Sequence, residues 1–290
     1  MLTRFRPYWL HAYVMVFTAL GLYADSKVTS LWQQDVLGVL GFTALFLASL
    51  KVRPAMRLQV WLCVVIATGY EIFGSLIWGI YHYRMHNVPL YVPAGHGIVY
   101  LFGLMAVQTP LIQRYGRRVA YAILGAATAW AMLGVTVLPL VTGRTDVQGA
   151  MWLPYLAWFL LRSPRWPVFA AIFVIVAELE ICGTSFGDWY WMPYAPWTHI
   201  PSANPPSVVA GGYCIIDATV LALMWALRRG PREITRHALI SWGIYRVGLN
   251  TIIMRIAKVR IPSTGPRVRL LFARRENSAE VVSPPSASLI

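Results

Sequence analysis

Apolar residues in this chain come in blocks of about 20, the length a helix needs to cross a bilayer. The blocks lie near 7–24, 36–50, 58–80, 94–113, 118–141, 149–164, 166–186 and 207–227, and the short stretches between them hold most of the charge. The pattern predicts an all-α polytopic membrane protein with about eight transmembrane helices. Beyond Arg229 the period stays helical but the composition changes. Ala238, Trp242, Tyr245, Leu249, Ile252 and Ile256 recur at three- and four-residue steps, with Arg236, Arg246, Arg255, Lys258 and Arg260 interleaved. Such a segment is too basic to span. It is expected to lie on the membrane surface against anionic lipid headgroups, with a contact between copies in a homo-oligomer as the alternative. The final stretch, rich in Ser, Pro and charge, predicts a disordered tail.

Composition sharpens the class. The 290 residues are 58% hydrophobic and only 12% charged, far from the balance of a soluble domain. The net charge of +14 would suit nucleic acid, but the chain from Arg228 onward holds 12 Lys and Arg against 3 Asp and Glu. Basic charge beside a membrane span reads as lipid contact, and no nucleic-acid partner is expected. Loop charge also gives an orientation. With the N-terminus inside, 22 of the 25 basic residues fall on the cytoplasmic side, leaving Lys27, Arg84 and Arg144 outside. The positive-inside rule then predicts an inner (cytoplasmic) membrane protein with both termini cytoplasmic and an uncleaved first span.

One stretch recurs. Glu71-Ile-Phe-Gly-Ser75 returns 109 residues later as Glu180-Ile-Cys-Gly-Thr184, each near the end of a long apolar block and each followed by an aromatic, Pro-rich loop. In the same frame Tyr81 matches Tyr190; past a longer loop, Pro89 matches Pro205 and Gly95 matches Gly211. Four spans per copy make the copies parallel rather than inverted. The expected units are a first four-helix repeat at 1–113 and a second at 114–229, followed by the interfacial helix at 230–262 and the tail at 263–290. The aromatic loops predict rigid turns, either interfacial anchors or a lid over a cavity that holds the glutamates.

A carboxyl inside an apolar span is costly, which makes it a candidate for function. Glu71, Glu178, Glu180 and Asp217 are the four such acids. Glu178 and Glu180 cannot share a helical face, and the repeat selects Glu180 as the counterpart of Glu71. Two acids in one apolar site make a general acid/base pair, with Asp217 in support. Trp78, Tyr81, Tyr83, Trp189, Tyr190 and Trp191 would supply an aromatic wall able to stabilise a carbocation, with His96 and Asn204 as further binding groups. That constellation suits hydration or cyclisation of an apolar isoprenoid-type lipid. A proton-coupled transporter and a non-catalytic membrane subunit are the alternatives. His82, His86, His96 and His199 fall short of a clustered metal motif, and Cys63, Cys182 and Cys214 have neither zinc nor redox spacing. No metal and no organic cofactor are therefore expected.

Glu71-x-x-Gly74, Gly79-x-Tyr81-x-Tyr83 and Val88-Pro-Leu-x-Val-Pro93 together resemble the signature block of the multi-span carotenoid-biosynthesis membrane proteins that include carotenoid hydratases. About 30 residues carry the likeness, and Ser75-Leu-Ile-Trp78 stands where that family has Thr-Gly-x-Pro-Phe-Gly. The resemblance implies proton-initiated addition of water to a terminal isoprenoid double bond. It carries over to Glu71, Gly74, Tyr81, Tyr83 and Pro89.

Overall fold

A computed structural model describes residues 2–227. The interfacial helix expected at 230–262, its lipid contact and the tail at 263–290 lie outside the described residues. Helices α1 (Leu2–Asp25), α2 (Leu31–Leu50) and α3 (Pro54–Glu71) come first, and α3 widens into a π-helical turn at Ile72–Trp78. A short strand β1 (Tyr81–Tyr83) leads into α4 (Tyr91–Ala106). There follow α5 (Pro110–Tyr115), α6 (Arg117–Thr136), α7 (Leu138–Thr142), α8 (Val147–Met151), α9 (Leu153–Arg162) and α10 (Trp166–Phe186). Strand β2 (Trp189–Trp191) precedes the last described helix, α11 (Val209–Leu227), which opens with a 3-10 turn.

Five of these stretches are long and apolar enough to cross a membrane: Leu31–Leu50, Pro54–Trp78, Arg117–Thr136, Trp166–Phe186 and Val209–Leu227. Helix α4 is equally apolar but shorter. The protein is thus a helical, membrane-embedded one. Its outward faces carry exposed side chains such as Val39, Leu40, Phe46, Leu47 and Trp158, as contact with lipid requires.

The helix breaks follow from proline and glycine. The block expected at 94–113 divides at Pro110, and the one at 118–141 divides before Pro139. The block at 149–164 divides at Trp152, ahead of Pro154. Each Pro sits in the first turn of the new helix, where its missing N–H costs nothing. The closing helix of the first half begins at Tyr91, four residues before Gly95. Arginines complete helix C-termini. Arg57 donates to the carbonyls of Ser49 and Leu50 at 3.0 and 3.2 Å, and Arg117 to those of Leu160 and Leu161 at 2.6 and 3.0 Å.

Helix α4 occupies the centre, packed by α2, α3 and α10, with Tyr100, Leu101 and Phe102 buried. Gly103 lets α4 approach α10 closely: a Cβ there would lie 2.5 Å from Ile172 Cγ1. Small residues at helix contacts are how spans associate where lipid is as apolar as the side chains. The loops 26–30, 79–90, 143–146 and 187–208 converge at one end. There Arg144 donates to the Trp191 carbonyl at 3.0 Å, and buried Asp146 accepts from the N–H groups of Gly149, Ala203 and Ser207 at 3.1, 3.1 and 2.6 Å. The aromatic loops do not form turns alone. Strands β1 and β2 pair antiparallel, Tyr81 opposite Trp191, His82 opposite Tyr190 and Tyr83 opposite Trp189.

Candidate functional site: two glutamates clasped beneath an aromatic ribbon

Each residue of the recurring pentapeptide has a structural use. Glu71 and Glu180 are buried near the ribbon ends of α3 and α10. Four residues on, Ser75 and Thr184 donate to the carbonyls of Glu71 and Glu180, both at 2.7 Å. Three residues on, Gly74 and Gly183 leave room for an aromatic ring that folds back over the helix. A Cβ at Gly74 would lie 2.9 Å from Tyr81 Cε1, and one at Gly183 would lie 2.0 Å from Trp189 Cη2. Gly79 (φ 71°) and Gly187 (φ 80°) then end the two helices in the left-handed conformation and turn the chain into the strands.

Alternation along the strands selects which rings point inward. Tyr81 and Tyr83 donate to Glu71 Oε2 at 2.6 and 2.7 Å, and His96 Nε2 lies 2.8 Å from Oε1. Trp189 and Trp191 donate their indole N–H to Glu180 Oε2, both at 3.0 Å, and Tyr213 donates to Oε1 at 3.4 Å. The two sides interlock. The rings of Tyr81 and Trp191 are 4.7 Å apart, those of Tyr83 and Trp189 5.9 Å, and His96 stacks on Tyr213 at 5.3 Å and 21°. Both glutamates, Tyr81, Tyr83, Trp189, Trp191 and His96 therefore meet in one cluster. Burial, and then the adjacent Glu71 carboxylate, push the Tyr81 and Tyr83 phenols well above their ordinary range. Both remain O–H donors throughout the physiological range.

The match between the two sides shifts by one residue beyond the glutamates. The inward aromatics follow Glu71 at 10 and 12 residues but follow Glu180 at 9 and 11. The π-helical turn after Glu71 absorbs the extra residue. The constant frame that pairs Tyr81 with Tyr190 therefore fails here. Tyr190 faces outward, half exposed, with its ring 5.7 Å from His82. Trp78 also lies away from the glutamates, donating to the Pro196 carbonyl at 3.1 Å with its ring 6.0 Å from Trp197. Asn204 acts from outside the cluster: its Oδ1 accepts from Trp191 N at 2.8 Å and holds the edge of β2.

Asp217 is one turn along α11 from Tyr213, buried, with Oδ2 lacking a partner. It lies within electrostatic reach of Cys63, Tyr100 and Tyr213 rather than against either glutamate. Glu178 faces the groove between α1 and α10, and Thr184 bonds backbone carbonyls instead of it. Among the described residues no three His, Cys, Asp or Glu side chains gather as a metal site. Tyr213 escaped sequence reading, although it opens α11 two residues after Gly211 much as His96 follows Gly95 in α4.

Tyr83→Phe removes one donor from buried Glu71, whereas His82→Ala removes an outward ring. The first is expected to lower stability by about 1.5–3 kcal/mol and the second by well under 1. Thermal unfolding in detergent micelles compares them, and equal midpoints would refute the inward assignment of Tyr83.

Fold and site together define a helical membrane protein with two buried carboxylates joined through a stacked histidine–tyrosine pair under a two-stranded aromatic ribbon. No protein-family model, no curated protein and no solved structure matches this chain.

Proposed function

We propose that this is an integral membrane enzyme whose paired carboxylates, Glu71 and Glu180, perform acid/base chemistry on an apolar isoprenoid-type lipid. The observation that carries the reading is the gathering of both carboxyls in one buried cluster, Glu71 held by His96 and Glu180 by Tyr213, whose rings stack, beside the rings of Tyr81 and Trp191. Glu180 Oε1 has only the long 3.4 Å contact with Tyr213, so it is the oxygen with capacity to carry a transferable proton. In the proposed step that proton adds to one carbon of a double bond, the π electrons forming the new C–H bond. A tertiary cation remains on the other carbon. The faces of Tyr81 and Trp191 stabilise it by cation–π attraction. Water then adds and gives up a proton to Glu71; before the next turnover Glu71 loses that proton to solvent and Glu180 takes one up from it. For cyclisation a second double bond attacks in place of water, and the cation so formed loses a neighbouring proton to Glu71 to leave a new double bond.

The architecture belonging to this proposal is eight spans in two parallel four-helix repeats, with the ribbon at the outer face of a cytoplasmic membrane. Matched Glu-x-x-Gly clasps on α3 and α10 support the repeat, and the loop charges support the orientation. The carotenoid-hydratase-like block supports the substrate class, because its Glu71, Gly74, Tyr81 and Tyr83 are the residues that build the first clasp.

One observation favours a second reading, proton translocation. Beyond the clasp, Asp217 and Cys63 continue towards the opposite end, where Gln59 donates to the Tyr100 hydroxyl at 2.6 Å. The deciding experiment compares lipid extracts by mass spectrometry from cells with wild type, a deletion, and Glu71→Gln plus Glu180→Gln at matched membrane levels. Loss of one lipid species, or its shift by the mass of water, in both altered strains supports the enzyme. An unchanged lipid profile, with proton flux into proteoliposomes that the double variant loses, supports translocation and overturns it.

A further inference from the structure

Asp188 stands where α10 hands the chain to the ribbon. Its N–H donates to the Gly183 carbonyl at 2.8 Å, and its own carbonyl accepts from Arg84 N at 2.8 Å. The side chain is 1% exposed, and neither carboxylate oxygen meets a donor. What it meets is the carboxyl of Asp25, itself 0% exposed. Two carboxyl groups in contact form a hydrogen bond only when one of them holds a proton.

The surroundings direct every donor to Asp25. From α2, Gln34 donates to Oδ1 at 2.9 Å; from α4, the Tyr91 hydroxyl donates to Oδ2 at 3.1 Å. The Arg84 guanidinium lies 3.7 Å from Oδ2 and also donates to the carbonyls of Asp25 and Val28 at the C-terminus of α1. Asn87 completes this shell by donating to Gln34 Oε1 at 2.8 Å, and α10 adds the Cys182 thiol. Arg84 is the one cation among these described groups and balances one carboxylate. A second ionised carboxylate would be buried with neither counter-charge nor donor, an arrangement proteins avoid by binding a proton.

We propose that Asp25 and Asp188 form a proton-binding site, a carboxyl–carboxylate pair that holds one proton at the joint between α10 and the ribbon and releases it as the medium turns alkaline. Burial, and then Asp25, push the Asp188 carboxyl up to about 8, with Arg84 acting in the opposite sense. The folded protein thus binds this proton more tightly than the unfolded chain does. The stabilisation is complete below the ordinary aspartate value of about 4 and is lost as pH rises through about 8. Asp188 adjoins Trp189, which donates to Glu180, so release of the proton drives apart the two groups that anchor this strand. The site is separate from the glutamate clasp and holds whichever chemistry the clasp performs.

Infrared difference spectra of the purified full chain, taken between pH 6 and pH 10, test the proposal. One protonated-carboxyl C=O band, distinct from any belonging to Glu180 and therefore still present in Glu180→Gln, is expected to vanish with a midpoint near pH 8. Asp188→Asn, an isostere of the protonated acid, should lack the band and keep a thermal midpoint that no longer falls over that range. Asp25→Asn should retain the band with its midpoint moved to lower pH. Persistence of the band in Asp188→Asn, or an unmoved midpoint in Asp25→Asn, overturns the pair. A midpoint that shifts with added Na+ or Mg2+ overturns it in favour of a metal cation.

Discussion

Glu180→Gln is expected to remove activity while leaving the folded protein intact. The reason lies in which groups surround each carboxylate oxygen. Indole N–H groups can only donate, so Oε2, facing Trp189 and Trp191, must be an acceptor; the amide oxygen of glutamine can take that place. The amide nitrogen then falls at Oε1, where the Tyr213 hydroxyl can turn and accept. Every partner of Glu180 is kept, and only the ability to give or take a proton is lost. Loss of a positioned acid or base lowers rates on the order of 10²–10⁴-fold. Product formation in membranes, read beside the thermal midpoint in detergent, separates the outcomes. An unfolded Glu180→Gln protein would contradict the donor arrangement. A folded and fully active one would reduce the clasp to a structural lock.

Gly183→Ala has the largest expected effect on folding, and the asymmetry with Gly74→Ala is the informative part. An added Cβ at Gly183 would lie 2.0 Å from Trp189 Cη2 and 2.3 Å from two further ring atoms. The indole cannot swing away, because its Nε1 is bound to Glu180 and its ring packs on Tyr83. At Gly74 the nearest atoms are the outer edge and hydroxyl of Tyr81, at 2.9 and 3.0 Å, which a few tenths of an ångström would relieve. Overpacking a filled site costs about 1–3 kcal/mol. Gly183→Ala should fall at or beyond the top of that range and Gly74→Ala near the bottom. The folded fraction recovered from membranes by size-exclusion chromatography measures both. If Gly183→Ala is the milder change, Trp189 does not lie over α10 as described. Shortening the ring in Gly183→Ala plus Trp189→Leu should recover folding but not the donor to Glu180.

What could be read in the sequence was whatever short-range periodicity encodes. Blocks of bilayer length gave the helix at 166–186, whereas the blocks drawn unbroken through Pro110, Pro139 and Pro154 divide at or just before those prolines. The repeated Glu-x-x-Gly, with Ser75 or Thr184 next, named the two acids and their glycines, because those contacts close within one or two helical turns. Tertiary structure decided everything that depends on a phase between distant segments. A π-helical turn moved the frame by one residue, so that Trp189, not Tyr190, is the counterpart of Tyr81 among the inward rings. Such a turn leaves no mark in an apolar stretch, since its residues serve an α-helix equally well. Pairing of two three-residue strands, too short to show alternation, sent His82 and Tyr190 outward and the rings beside them inward. Asp25, Arg84 and Asp188 are far apart in the chain and read as ordinary loop charges. Only the convergence of α1, α10 and the β1–α4 turn withdraws the two aspartates from water beside Arg84, and that withdrawal makes them the proposed proton-binding pair.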